Sequence, residues 1–144
     1  MTFSILRLLI AAVCALFAVA ARGDEPPRRA SGLWEIKITV SGQPTASVAQ
    51  YCIDSQADDL AVTAGGGVAQ KDCSEAVAQH AADGFSIQSV CKLGASTVTT
   101  HGVFKGDLQS AYSGEVQAKY SPPLYGRREV KSLIDARMIG PCAR

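Results

Sequence analysis

After residue 32 apolar side chains recur at every second position, the periodicity of a strand with one buried face. From Leu33 to Val40, Trp34, Ile36, Ile38 and Val40 share one face, and Glu35, Lys37 and Thr39 share the other. Ser41 to Pro44 reads as a turn, and Thr45 to Ile53 as a second strand ending near Cys52. Asp54 or Ser55 is placed to cap a short helix through Leu60, and Gly65 to Gly67 form a loop. Cys73 to Gln79 and Phe85 to Lys92 flank a turn signal at Asp83-Gly84 and predict a hairpin. Ser96 to Lys105, Ser110 to Tyr120 and Arg127 to Met138 keep the alternation, the last with Val130, Ile134, Ala136 and Met138 on one side. Pro122-Pro123 is expected to end the sixth strand, because proline has no N–H to give a ladder.

Two registers follow. A hairpin centred on Ala82 sets Cys73 opposite Cys91 and Val77 opposite Ile87, so the cysteine pair and the apolar pattern agree. The next hairpin is expected to set Phe104 against Ser110, Gly102 against Tyr112 and Val98 against Val116, with an aromatic ring over a strand glycine. Together these segments predict an all-β chain: an antiparallel meander of about seven strands with one short helix. Such a sheet, with little helix to cover its apolar face, must curl on itself or pack in two layers. The expected form is a strongly curved, partly closed barrel over residues 32–142.

The N-terminus carries a different pattern. Arg7 precedes an uncharged run from Leu8 to Ala21, and Ala18-Val-Ala20 supplies small residues at a cleavage site. Residues 1–20 therefore read as a secretory signal peptide, too short in its apolar run for a stable membrane anchor. Cys14 follows Val13, where a lipidation site wants a smaller residue, and is expected to leave with the signal. Residues 21–31, charged and holding Pro26-Pro27, read as a flexible tether.

Export changes the meaning of the cysteines. Cys52, Cys73, Cys91 and Cys142 remain, an even number, which in an oxidising compartment predicts two disulfides. None forms the Cys-x-x-Cys pair a zinc site wants. With Cys73 and Cys91 joined across the hairpin, Cys52 must bond Cys142. In a flat meander taken in chain order the second and seventh strands lie about 24 Å apart. The last residues cannot span that gap, so the bond demands a curled sheet.

Gly-Leu-Trp-Glu at 32–35, Gln-Tyr-Cys-Ile-Asp at 50–54, the hairpin from Cys73 to Cys91 and Ala-Arg-Met-Ile-Gly-Pro-Cys at 136–142 resemble the small exported bacterial proteins of domain of unknown function 3617. The resemblance spans about Gly32 to Cys142. It implies a Gram-negative periplasmic setting and no particular activity.

Charge narrows the function classes. Without Arg7 the 14 Lys+Arg become 13, equal to the 13 Asp+Glu. Arg28-Arg29 and Arg127-Arg128 are isolated pairs and read as solvated surface. There is no cationic footprint for nucleic acid. His80 and His101 are the two histidines, and neither lies in a nucleophile elbow. Asp58-Asp59 fits a helix start better than an acid–base pair. The Gly65–Gly67 run lacks the Lys-Ser/Thr ending of a phosphate loop. No catalytic set, cofactor or metal site is expected. Trp34, Ile36, Ile38, Phe85, Ile87, Tyr112, Val116 and Ile134 are expected to line the concave face. As a ligand pocket that face would use Trp34, Ile36, Phe85, Ile87 and Tyr112, with Tyr125 in the 122–126 loop as its rim. The expected function is a non-enzymatic module for an apolar small molecule or lipid. A structural or protein-interaction role in the envelope, through a free strand edge, is the alternative.

Overall fold

The computed structural model describes residues 25–64 and 68–143. The signal segment 1–20, Cys14 and the loop at 65–67 lie outside the described residues. Seven strands form one antiparallel sheet: β1 (Gly32–Val40), β2 (Ser47–Ile53), β3 (Cys73–Ala81), β4 (Gly84–Leu93), β5 (Ser96–Asp107), β6 (Ala111–Leu124) and β7 (Arg127–Gly140). A five-residue helix, α1 (Leu60–Ala64), and a 3-10 turn at Gln70–Asp72 lie between β2 and β3.

The strands stand in the order β2-β1-β7-β6-β5-β4-β3. Consecutive strands pair everywhere except between β2 and β3, and the first strand pairs with the last, Ile36 opposite Ala136 and Ile38 opposite Ile134. The meander is therefore joined at its termini and open at the α1 connection, so the sheet does not close. That corrects the chain-order sheet assumed from sequence. Both disulfides form as expected, but for Cys52–Cys142 the reason is different. Cys52 pairs with Leu33, Leu33 pairs with Gly140, and Cys142 follows two residues later. Strand order alone brings the two α-carbons to 5.5 Å.

Two registers also depart from expectation. Cys73 does face Cys91, but the register shifts before Glu75, so Val77 faces Gln88 and Ala78 faces Ile87. A bulge inserts one residue and exchanges the faces of everything beyond it. Val77 turns to solvent, and Ala76 and Ala78 turn inward. In the second hairpin Phe104 faces Gly114, Gly102 faces Val116 and Val98 faces Tyr120. The turn is Leu108 to Ser110, held by Asp107, whose carboxylate accepts the N–H groups of Gln109 (2.8 Å) and Ser110 (2.7 Å). These bonds hold the Asp107 carboxyl below its ordinary range, the Gln109 N–H contributing most. β6 also runs through Pro122-Pro123 to Leu124, with a register irregularity after Lys119. The prolines sit within that irregularity, where the regular ladder is interrupted.

The segment expected as a tether is structural over 25–31. Pro27 and Arg29 are fully buried, the Ala30 N–H donates to Leu108, and Trp34 Nε1 donates to the Ala30 carbonyl at 2.9 Å. The capping residue of α1 is Asp59, which accepts from the Val62 N–H, rather than Asp54 or Ser55; Asp54 instead accepts from Gln56 within a turn.

The core lies on the inner face. Phe85 and Phe104 stack at 4.5 Å, Tyr112 meets both edge-on, and Trp34 packs against Tyr112 at 5.8 Å. Leu60 of α1 and Leu108 of the β5–β6 turn complete this cluster. Aromatic rings at these spacings add to the transfer term from burial.

Candidate functional site: an apolar groove on the inner face

Register fixes which inward side chains stand side by side. One row across the sheet is Ile38–Ile134–Gly114–Phe104–Phe85. The next is Val40–Ser132–Val116–Gly102–Ile87. Beyond it come Val130–Ala118–Thr100–Ser89, then Tyr120–Val98–Cys91. The aromatic rings stand in the first row and on the Tyr112 side of it, and they fill that half. The far rows are built mostly from smaller side chains, and Ser89, Cys91, Val98 and Thr100 among them are buried.

A groove of about 220 Å³ opens there. Its floor includes Val98, Thr100, Val116, Ala118 and Ile134, and Thr63 and Val68 of the β2–β3 connection form the opposite wall. Among the described residues no charged side chain lines it. Ile38 and Leu93 belong to the inner face yet are 37% and 40% exposed, because they stand at the groove rather than in the core. The inner face thus has a filled aromatic half and a half of smaller side chains that borders the groove, where Ile38 and Leu93 are exposed while Val98 and Thr100 stay buried. A concave apolar surface with a few hydroxyl groups is suited to holding a small apolar molecule.

A polar network closes the filled half at its other end. The Arg29 guanidinium pairs with Asp58, and both side chains are almost wholly buried. The Arg29 backbone N–H also donates to Asp58 at 2.8 Å, and Nη1 reaches the Tyr112 hydroxyl at 3.5 Å. Arg28 donates to the Ser55 and Gln56 carbonyls, tying the same connection. Burial opposes the Arg29 charge, but the bonds to Asp58 and the neighbouring Tyr112 hold its pKa above the ordinary value. Burial also raises the Tyr112 hydroxyl. The paired, enclosed guanidinium anchors the N-terminal segment to the α1 connection. The reading of Arg28-Arg29 as solvated surface is thereby corrected, and Asp58 serves the ion pair while Asp59 caps the helix.

The outer face carries charge. Arg137 donates to Glu35 at 2.7 Å, and Lys37 and Asp135 face each other in register beside them. The Arg137 bond, with a smaller one from Gln50, lowers the Glu35 pKa.

Trp34, Ile36, Phe85, Ile87 and Tyr112 come together as expected, in the filled half. None of them lines the groove; from the wider concave set Ile38, Val116 and Ile134 do. Tyr125 is placed elsewhere. It is 97% exposed at the tip of the β6–β7 hairpin, where Tyr125 (φ 49) and Gly126 (φ 77) form a two-residue turn with both φ positive. His80 and His101 are exposed on different strands, His80 opposite Phe85 and His101 opposite Gln88. The groove residues Val98, Thr100, Ala118 and Tyr120 were not singled out from the sequence; the true register groups them.

A family model described as a protein of unknown function (DUF3617) matches residues 29–142. No curated protein and no solved structure matches the chain.

Proposed function

The chain belongs to the DUF3617 family, and on that premise we propose that it is an exported, periplasmic, non-enzymatic module that holds an apolar small molecule or lipid in the inner-face groove. The observation that carries this reading is the uncharged groove of about 220 Å³ beside the cluster of buried aromatic and aliphatic side chains. Ile38 and Leu93, apolar residues of the inner face, stay open to the groove. Export is supported by the signal pattern at 1–20 and by two disulfides, which persist in oxidising compartments. Among the described residues no helix is long and apolar enough to cross a membrane.

Native mass spectrometry of protein purified from its own envelope tests the reading. The wild-type chain is expected to carry a co-purifying small molecule that Ala118→Trp, which fills the groove, lacks. A wild-type chain with no small-molecule adduct contradicts it. One observation favours the alternative, a strand-edge contact with an envelope protein: β2 is a sheet edge, and Val48 and Tyr51 on it are 59% and 52% exposed. A protein adduct in the same spectrum, lost on Val48→Lys, would support that role.

A further inference from the structure

The β6–β7 hairpin reaches past its neighbours. β5 pairs with β6 as far as Ser121, and β1 pairs with β7 as far as Ser132. Ser96 Oγ donates to the Pro122 carbonyl and the Ser41 N–H to the Lys131 carbonyl, the outermost ties to other strands among the described residues. Beyond them the hairpin stands alone, with Tyr125 at its tip. Tyr125 is 97% exposed, so its ring gives the fold almost no burial. Its φ of 49 is a left-handed conformation that costs an aromatic residue and that Asn or Asp adopts more easily in such a turn. A residue held under strain without packing in return points to a role outside the fold.

The flanks of this tip are cationic. Lys119, Arg127, Arg128 and Lys131 are exposed on the hairpin, and Glu129 is the one acid within residues 118–131. Four cations against one acid leave a local balance of +3. Without residues 1–20 the chain is neutral, so the rest of the molecule carries the opposite balance. Glu129 accepts from Gln117 at 2.8 Å, and none of the four cations lies in an ion pair among the described residues. Charge separated in this way turns the hairpin toward a negative surface.

One ring on a two-residue turn is too small for a stable protein interface, which takes about 800 Å² from each partner. It suits a bilayer surface, where a Tyr ring settles at headgroup depth and Lys and Arg meet the phosphates. We propose that the β6–β7 hairpin docks the protein reversibly on an anionic phospholipid surface, with Tyr125 in the headgroup layer and the four cations lying on it. Docking stands without a ligand in the groove. On the ligand reading above, it also brings the groove to the bilayer, because Tyr120 and Val130 of this hairpin line it.

The test is flotation of the mature, disulfide-bonded protein with vesicles of phosphatidylcholine alone, and of equal parts phosphatidylcholine and phosphatidylglycerol. Binding is expected to the mixed vesicles only. It should fall away between about 0.1 and about 1 M salt, as the Debye length shrinks from about 10 to about 3 Å. Arg127→Gln with Arg128→Gln is expected to weaken it at least about ten-fold, each cation near the surface counting for roughly five-fold. Tyr125→Asn is expected to weaken it several-fold and, by relieving the turn, to melt no lower than wild type, which separates lost docking from lost folding. Equal binding to both vesicles, or binding to the mixed vesicles that neither variant changes, overturns the proposal. So does failure to bind either; a photo-reactive aromatic amino acid in place of Tyr125 that then cross-links to an envelope protein would assign the tip to a protein partner instead. None of these outcomes bears on the ligand reading, which the co-purification experiment decides.

Discussion

Arg29 buries a full positive charge, and its cost in desolvation is met by Asp58 and the Tyr112 hydroxyl. The pair ties the N-terminal segment to the connection that carries α1, and Ala30 of that segment receives the Trp34 indole N–H. Removing one partner strands the other in a dry site. Asp58→Ala is expected to cost about 3–5 kcal/mol, and Arg29→Met with Asp58→Leu clearly less than the sum of the single changes. Urea unfolding of the three variants measures this; a single-variant cost under about 1 kcal/mol would mean that the pair is solvated. Nothing in the sequence points to it. Arg28-Arg29 beside Pro26-Pro27 has the composition of an exposed linker, and its partner lies in another element at no regular spacing. Trp34, by contrast, was legible as core, because it leads an alternating run whose inward face it shares with Ile36.

Strands were easier to read than their pairing. All seven fall where the alternation places them, within a few residues at each end. The β5–β6 register could not be read the same way, since a slip by an even number of residues keeps every side chain on its face. Turn chemistry decides between the candidates: Asp107 closes a turn at Leu108 to Ser110. The true register lays Phe104 beside Gly114 rather than setting Tyr112 against Gly102. In β3 the difficulty is of another kind. Cys73 marks the cross-strand pair correctly, but the bulge that follows reverses parity, and no residue type announces it. The glycine offers a check on the register. A Cβ on Gly114 would run into the Val103 carbonyl and lie 2.6 Å from Phe104 Cδ1. Gly114→Ala is therefore expected to lower stability by about 1–3 kcal/mol in thermal unfolding, and an unchanged melting temperature would contradict this packing.

For the whole molecule, joining the first strand to the last places the opening between β2 and β3, beside α1 and the walls of the groove. Cys52–Cys142 fastens the end of β2 to the tail of β7 across β1, and Cys73–Cys91 fastens the other edge. In the chain-entropy account these links contribute about 4.5 and about 3 kcal/mol. Both pairings were legible from hairpin register and elimination. The strand order was not, because pairing of β1 with β7 is a long-range choice on which local alternation is silent. The groove depends on that order and on the curl, so it too stayed hidden, while Trp34, Phe85 and Tyr112 of the same face were legible as inward.

The division of the inner face into a filled aromatic half and a half that borders the groove is measured most directly by adding the same bulk to each. Ala136 lies in the core cluster, and Ala118 lines the groove. Unfolding free energies of Ala136→Leu and Ala118→Leu, each against wild type, make the comparison. Overpacking should cost Ala136→Leu about 1–3 kcal/mol, while Ala118→Leu, entering open apolar space, should hold or raise stability. If Ala118→Leu loses as much as Ala136→Leu, the groove is filled core and the functional reading built on it is wrong.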